Sequence, residues 1–209
     1  MSTQTPSTEK HAVTIAPIHD LLAQRWSPRA YNSRAVEPEK LQSVLEAARW
    51  SASSSNMQPW SFIIARREAD ADAFERMIGC LMDGNVPWAS KAPVLGIAVA
   101  NLYRKPEVKN RHAFHDVGMA TQNLVIQATA LDLYVHLMGG FSPDKARDAF
   151  AIPAEYDAIA MFTLGYLGDP SELPERYRNG ETAARTRKPL TEFVFTEQWG
   201  AVSPILTEG

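Results

Sequence analysis

Residues 93–100 read Pro-Val-Leu-Gly-Ile-Ala-Val-Ala, a nearly continuous apolar run of strand length. Such a run is typical of a strand that is buried on both faces. Three further segments outward from it also have strand character: Trp60–Ala65, Tyr134–Met138 and Ala158–Leu167. The sequence therefore predicts a sheet that contains at least one fully buried strand.

Segments with helical periodicity separate these strands. The longest pattern spans residues 112–131, where Asp116 is the only residue that carries a formal charge. A helix so poor in charge is enclosed by protein, either in a core or at a subunit interface. Shorter helices are predicted at residues 18–24, 38–50, 71–82 and 143–150, the last with Ser142 as N-cap and Pro143 in the first turn. The order of elements predicts an α+β fold in which helices cover a central sheet.

Composition places the chain among globular proteins and excludes several functions. The 209 residues are 45% hydrophobic and 22% charged, and the formal net charge is −3. This balance excludes a strong overall field for nucleic acid or anionic membranes. Cys80 is the only cysteine, so an intramolecular disulfide is impossible, and we expect it to be a small buried side chain. No apolar stretch of about 18 residues is present, and we expect a cytoplasmic protein.

The predicted organisation is a flexible leader (residues 1–16) and one domain (residues 17–209) whose last part, residues 170–209, is a C-terminal arm. The arm is polar and interrupted by prolines, yet its aromatic residues need burial. It could extend over a partner subunit and add a strand to that subunit's sheet. It could equally fold back on its own subunit, since composition does not distinguish the two arrangements.

Two basic segments are candidates for binding an anion. In Arg25-x-Ser27-x-Arg29, alternate residues of an extended segment point the same way, so two guanidiniums and a hydroxyl would line one side. This arrangement suits a phosphate or an anionic ring edge. Arg185-x-Arg187, inside the arm, could supply the second half of such a site. The ordinary alternative for both segments is solvated surface charge.

Two uncharged segments are candidates for contacting a flat ligand. Residues 53–60, Ser-Ser-Ser-Asn-Met-Gln-Pro-Trp, place hydrogen-bonding side chains directly before a strand. Residues 137–141, Leu-Met-Gly-Gly-Phe, lie at the end of another strand, and paired glycines allow close approach and leave N–H groups exposed as donors. Each segment taken alone is equally consistent with an ordinary turn.

Other types of site have less support. His112, His115 and Asp116 have the i, i+3, i+4 spacing of a metal site, but no second helical pair completes a ligand shell. We interpret them as a polar patch at a helix start and expect no metal. The glycine-rich motifs of Rossmann and P-loop proteins are absent, so any nucleotide would be held in another way.

Taken together, the motifs are similar to those of the FMN-dependent nitroreductase family from about His19 to Phe195. Arg-x-Ser-x-Arg, Ser-Ser-x-Asn-x-Gln-Pro-Trp, the Ala92-Pro93 strand start, Gly-Gly-Phe and Arg-x-Arg-x-Pro-Leu are specific in combination, although each is weak alone. The resemblance implies a nitroreductase-like fold with a mostly antiparallel sheet. It also implies a homodimer that holds non-covalent FMN between its subunits, with the C-terminal arm extending onto the partner.

The resemblance also implies which residues contact FMN. Arg25 and Ser27, with Arg185 and Arg187, would hold the phosphate and ribityl end. Ser53, Ser54 and Asn56 would reach the FMN bound mainly by the other subunit. The complete predicted set is Arg25, Trp26, Ser27, Arg29, Ala52, Ser53, Ser54, Asn56, Asn85, Asp116, Leu137, Met138, Gly139, Gly140, Arg185 and Arg187.

At the ring end, the resemblance places Arg29 near the N1 and O2 edge of the flavin. A fixed cation there stabilises the negative charge of the reduced ring. Asn85 would lie at the same edge. Asp116 would lie close to the ring, on the long helix that would also form the dimer seam. The N–H of Gly139 is the expected donor to N5.

The resemblance implies an oxidoreductase that uses NADH or NADPH to reduce nitroaromatics, quinones or similar flat acceptors, with ping-pong kinetics. Enone reduction, reductive dehalogenation, flavin breakdown and non-enzymatic FMN binding are the alternatives. Three positions depart from the family pattern. Many relatives have Pro at the position of Ala52 and an acidic residue at that of Gly139, and relatives often have Gly at that of Asp132.

Overall fold

The computed structural model describes residues 10–206. Its strands are β1 (Trp60–Arg66), β2 (Val94–Asn101), β3 (Tyr103–Lys105), β4 (Val108–Lys109), β5 (Tyr134–Met138) and β6 (Tyr156–Gly165). Four of them form the main sheet in the order β1-β2-β6-β5, and every neighbouring pair is antiparallel. The predicted strands and the predicted α+β class are therefore confirmed, whereas the β3–β4 hairpin was not predicted.

The helices of the described residues are α1 (Asp20–Gln24), α2 (Pro38–Arg49), α3 (Ala71–Cys80), α4 (Val86–Ala89), α5 (Ala113–Ala130), α6 (Pro143–Phe150) and α7 (Glu175–Thr182). The five predicted helices are confirmed, and α4 and α7 were not predicted. The side chain of Ser142 accepts a hydrogen bond from Lys145 N, which confirms it as the N-cap of α6. Within residues 10–206, no helix has the length and apolar character needed to cross a membrane.

The sheet separates two apolar layers. Strand β2 is buried from Val94 to Ala100, as its apolar run predicts. Leu95 and Ile97 face α3, α4 and α6, whereas Val94 faces α2 and α5. Gly96 lies against the ring of Phe162, where a Cβ would overlap the aromatic carbons. The strand therefore needs glycine at this position.

Cys80 lies in the layer that α3 forms, and it is 2% exposed, as predicted. Burial raises the pKa of its thiol.

Helix α5 ends in a Schellman motif, and Asp132, one of the three departures from the family pattern, lies within it. Leu133 N donates to Ala128 O and Asp132 N donates to Thr129 O. Asp132 has φ 58°, the left-handed conformation that this motif requires and that glycine adopts most easily.

The first part of the C-terminal segment folds back on its own subunit. Helix α7 places Glu181 against Arg29 and Ala30, and its carboxylate is 2% exposed. The second part is different, because Phe193 is 56% and Trp199 is 92% exposed. Extension of this second part over a partner subunit stays a prediction.

The predicted flexible leader, residues 1–16, lies mostly outside the described residues. Its described part begins at Lys10, which is 6% exposed and donates from Nζ to Gly180 O at 3.1 Å. Ala12 N donates to Ala23 O at 3.0 Å. This part of the segment therefore packs against α1 and the end of α7.

Candidate functional site

The segment that follows α1 brings Arg25 and Ser27 to the same side, as predicted. Arg25 caps α1 in an extended conformation, and its Nη1 donates to Ser27 Oγ at 3.4 Å. Between them, the half-buried ring of Trp26 packs edge-on against Tyr134, with the ring centroids 6.2 Å apart. This packing fixes the segment against β5 while the two polar side chains remain available to a ligand.

The C-terminal segment brings two more guanidiniums to this point. Arg185 Nη1 donates to Ala23 O at 2.7 Å and to Lys10 O at 2.9 Å, which anchors it beside the end of α1. Burial, and then repulsion from Arg185 and Arg187, lowers the pKa of Arg25. None of these three arginines forms an ion pair with a carboxylate of residues 10–206. Three uncompensated cations at one place have the charge that a phosphate dianion needs.

Arg29, the last residue of the predicted motif, lies among aromatic rings. Its guanidinium carbon is 5.6 Å from the centroid of Trp88 and 5.8 Å from that of Tyr177. Its Nε is buried and has no hydrogen-bond acceptor within the described residues. An unpaired buried donor of this kind costs free energy unless a ligand satisfies it.

The glycine pair after β5 is held by Asn85. Asn85 Nδ2 and Met82 N both donate to Gly140 O at 3.0 Å. A Cβ at Gly140 would overlap Asn85 Nδ2, whereas a Cβ at Gly139 would meet open space. The N–H groups of Gly139 and Gly140 have no acceptor within residues 10–206. They are therefore available to a ligand, as predicted for Gly139.

Hydrogen bonds and ring contacts join these segments into one surface, here called the basic surface (residues 25–29, 84–88, 136–140 and 177–187). Tyr177 donates from its hydroxyl to Gly84 O. The ring of His136 lies 4.5 Å from that of Trp88 and bonds from Nδ1 to Pro28 O at 2.9 Å. Because a carbonyl only accepts, Nδ1 carries the proton.

His136 is a buried titratable group of this surface. Burial, reinforced by the nearby charge of Arg29, lowers the pKa of His136 to about 4, although its hydrogen bond to Pro28 O opposes the change. The imidazole is therefore neutral near pH 7.

The second predicted segment forms a separate feature, here called the polar loop (residues 53–58). Ser55, Asn56 and Gln58 all have positive φ, at 52°, 55° and 48°. Three such residues within four positions store backbone strain, which is common where a loop is shaped for a ligand. Ser53 Oγ accepts from Gln58 N at 3.0 Å and helps to hold the turn. The loop follows Ala52 and reaches β1.

Asp116 supports the polar loop through a hydrogen bond. It is 1% exposed, and its Oδ2 accepts from Ser54 N at 3.0 Å. His115 Nδ1 lies 3.1 Å from its other oxygen. The contact of Asp116 with a flavin ring stays a prediction, and the structure gives its carboxylate the role of positioning Ser54. No group of His, Cys, Asp or Glu suited to a metal occurs in the described part of the chain.

The polar loop and the basic surface are held by different sets of contacts. No hydrogen bond or ion pair between described residues joins them. The structure thus brings together Arg25, Trp26, Ser27, Arg29, Asn85, Leu137, Met138, Gly139, Gly140, Arg185 and Arg187. The members left apart from these are Ala52, Ser53, Ser54, Asn56 and Asp116.

Four residues of the basic surface were missed from the sequence: Trp88, His136, Tyr177 and Glu181. His136 lies in a segment that was interpreted only as a strand, and no element was predicted around Trp88. Tyr177 and Glu181 lie on α7, which lacks an apolar periodicity that would predict a helix. The one usable signal was the proximity of α7 to Arg185 and Arg187 along the chain.

The chain is similar to known proteins in sequence and in fold. A model described as the nitroreductase family matches residues 22–166. A solved structure described as an oxidoreductase containing FMN superposes with a TM-score of 0.86 at 30% identity, over 90% of this chain and 96% of that one. An uncharacterized 15.4 kDa protein from Mycolicibacterium smegmatis is 32% identical over 66% of this chain and 97% of its own length. The "Putative NADH dehydrogenase/NAD(P)H nitroreductase" of Archaeoglobus fulgidus is 24% identical, over 74% of this chain and 88% of that protein.

Proposed function

The chain belongs to the nitroreductase family, and we propose that it is an FMN-dependent oxidoreductase in which NADH or NADPH reduces flat acceptors such as nitroaromatics or quinones. The observation that carries this proposal is the group of Arg25, Arg185 and Arg187, which no carboxylate of residues 10–206 neutralises. FMN is the flavin that ends in a phosphate. The similarity to a structure described as an FMN-containing oxidoreductase supports the same cofactor.

The phosphate end of FMN fits the start of the basic surface. Arg25 and Arg187 would pair with the phosphate oxygens, and Ser27 Oγ, 3.4 Å from Arg25 Nη1, would hold the adjoining ribityl chain. Arg185 contributes charge while two carbonyl oxygens fix its position. Charge-assisted hydrogen bonds of this kind are about twice as strong as neutral ones.

The ring end fits the remainder of the same surface. Arg29 holds a positive charge between two aromatic rings, where it would stabilise negative charge on the reduced ring system. The unused N–H of Gly139 would donate to the ring, and Asn85 would act through Gly140 by holding its carbonyl oxygen. When bound, FMN would supply the hydride chemistry between the nicotinamide and the acceptor.

We further propose that the active unit is a homodimer with two equivalent sites. No hydrogen bond or ion pair of the described residues joins the basic surface to the polar loop of the same subunit, and a two-fold axis would bring the loop of one subunit to the surface of the other. Helix α5 supports this arrangement, because Phe114 is 54% exposed on a helix with one formal charge. The exposed Phe193 and Trp199 of the arm would also be buried against the partner.

Spectroscopy of the purified protein tests the proposal. We expect a yellow protein whose flavin absorbance bleaches when NADH or NADPH is added without oxygen and returns when a quinone or nitroaromatic follows. A ping-pong scheme further predicts parallel double-reciprocal plots. A colourless protein that does not bind added FMN would contradict the proposal that FMN is the cofactor. If FMN binds but neither NADH nor NADPH reduces it, the protein is a flavin-binding protein and the proposed oxidoreductase activity is contradicted.

A further inference from the structure

Glu181 is a buried carboxylate that the sequence did not single out. It lies at the end of α7, a helix otherwise mostly exposed, and is 2% exposed. Its Oε1 accepts from Arg29 N at 2.9 Å and from Ala30 N at 2.8 Å, and its Oε2 accepts from Arg29 N at 3.0 Å. One carboxylate therefore caps two consecutive backbone N–H groups of the cofactor-binding segment.

Glu181 forms no ion pair with a Lys, Arg or His of residues 10–206. Burial of a carboxylate is costly unless hydrogen bonds compensate for the lost water. The two N–H groups at Arg29 and Ala30 supply that compensation. The Glu181 carboxylate thus fixes the backbone at Arg29 and Ala30. A neutral side chain would form weaker hydrogen bonds with these N–H groups.

The same helix also holds the side chain of Arg29. The ring of Tyr177, one turn before Glu181, contacts the Arg29 guanidinium, and its hydroxyl donates to Gly84 O. A Cβ added at Gly180 would lie 3.8 Å from Arg29 Nη1. Helix α7 therefore determines both where the Arg29 backbone lies and where its guanidinium points.

We propose that Glu181 is a positioning residue that holds Arg29 in its place on the basic surface. The proposal rests on the proposed function, because Arg29 matters most if it faces the flavin ring. Glu181 touches no reacting atom in this account and acts only through the backbone of Arg29 and Ala30.

The test compares Glu181→Gln with Glu175→Gln, an exposed glutamate in the first turn of the same helix. In the apo-protein, we expect the amides of Arg29 and Ala30 to exchange with deuterium roughly tenfold faster in Glu181→Gln, since a charge-assisted bond is lost. FMN affinity should fall by a similar factor, and Glu175→Gln should change neither quantity. Unchanged exchange would overturn the proposal, and so would faster exchange with unchanged FMN affinity.

A double-mutant cycle separates positioning from general stability. If Glu181 acts through Arg29, Glu181→Gln should weaken FMN binding much less in an Arg29→Gln background than in the wild type. Additive losses would overturn the proposal. If Glu181→Gln does not fold, Glu181→Asp replaces it, because a side chain shorter by one methylene should break at least one of the three bonds. If wild-type protein binds no FMN, the proposed function fails, and the exchange rates still decide whether Glu181 holds the segment.

Discussion

Arg25 is far along the sequence from Arg185 and Arg187, and the folded chain brings the three close enough to repel one another. Burial, and then repulsion from Arg185 and Arg187, lowers the pKa of Arg25. An arrangement that opposes folding in this way is expected where a ligand supplies the missing charge. At the scale of single residues, this cluster is the strongest indication of function.

Neutralising two of these cations should separate ligand binding from stability. We expect Arg25→Gln combined with Arg187→Gln to weaken FMN binding roughly 100-fold, because two charge-assisted contacts to one phosphate are lost. The apo-protein should be at least as stable as the wild type, since repulsion is relieved.

The control for this pair is Arg104→Gln with Lys109→Gln. It makes the same change in net charge on the exposed hairpin of β3 and β4. Fluorescence titration with FMN measures the affinity of both double variants. Equal affinities would contradict the phosphate assignment.

His136 gives a prediction about pH. Its pKa is lowered from 6.5 to about 4 in the folded protein, mainly by burial. The unfolded chain therefore binds the proton at a higher pH than the folded chain does. The stability that neutral His136 contributes is fully present above pH 6.5 and is lost as pH falls to about 4. The loss is at most about 3 kcal/mol.

Urea unfolding of the wild type and His136→Gln across this range isolates the effect from other titrating groups. The free-energy difference between the two proteins should shrink or reverse as pH falls. A difference that is constant with pH would contradict the buried, neutral imidazole.

At the scale of elements, the C-terminus of α5 carries a cost that the sequence does not reveal. Asp132 adopts a left-handed conformation at φ 58° and places a carboxylate at the negative end of the helix dipole. Asp132→Gly should relieve both and stabilise the protein by about 1 kcal/mol. Asp132→Asn removes the charge alone and should stabilise it less. Denaturant unfolding checks the order, and a destabilised glycine variant would contradict the explanation.

The elements that the sequence predicted are those whose own residues carry an apolar pattern. Strand β2 and helix α5 were predicted because they are buried along their length, which makes local pattern and tertiary environment agree. Helix α7 was missed because its contacts are made by Glu181 and Tyr177, and their partners are about 150 and 90 residues away. The positive φ of Asp132 was not predicted either, although aspartate adopts this conformation more often than most residues.

The candidate site was predictable to the extent that its residues form motifs. Arg25 and Ser27 were expected on one side, and the structure places them there. The carboxylate of Asp116 was expected near a flavin ring, and that contact stays a prediction. Its support of Ser54 within the same subunit was not foreseen. This supporting role depends on the burial of Asp116 and on its hydrogen bond from Ser54 N, and both exist only in the folded chain.

At the scale of the whole molecule, each proposed site combines residues of two subunits. Mixed dimers test this. One variant combines Arg25→Gln with Arg187→Gln on the basic surface. The other, Asn56→Gly, removes an amide from the polar loop and suits the left-handed backbone at φ 55°.

Neither homodimer should bind FMN well, because each defect would be present in both sites. A heterodimer purified through two different tags should hold one FMN with wild-type affinity, since one of its sites then receives both intact halves. Heterodimers with no restored site would contradict the shared-site arrangement.

The most direct test of the central claim compares FMN with riboflavin, which has the same ring system and ribityl chain and lacks the phosphate. Titration calorimetry of the apo-protein measures both affinities. If Arg25, Arg185 and Arg187 gather around that phosphate, FMN should bind at least about 100-fold more tightly than riboflavin. Equal affinities for the two flavins would contradict it.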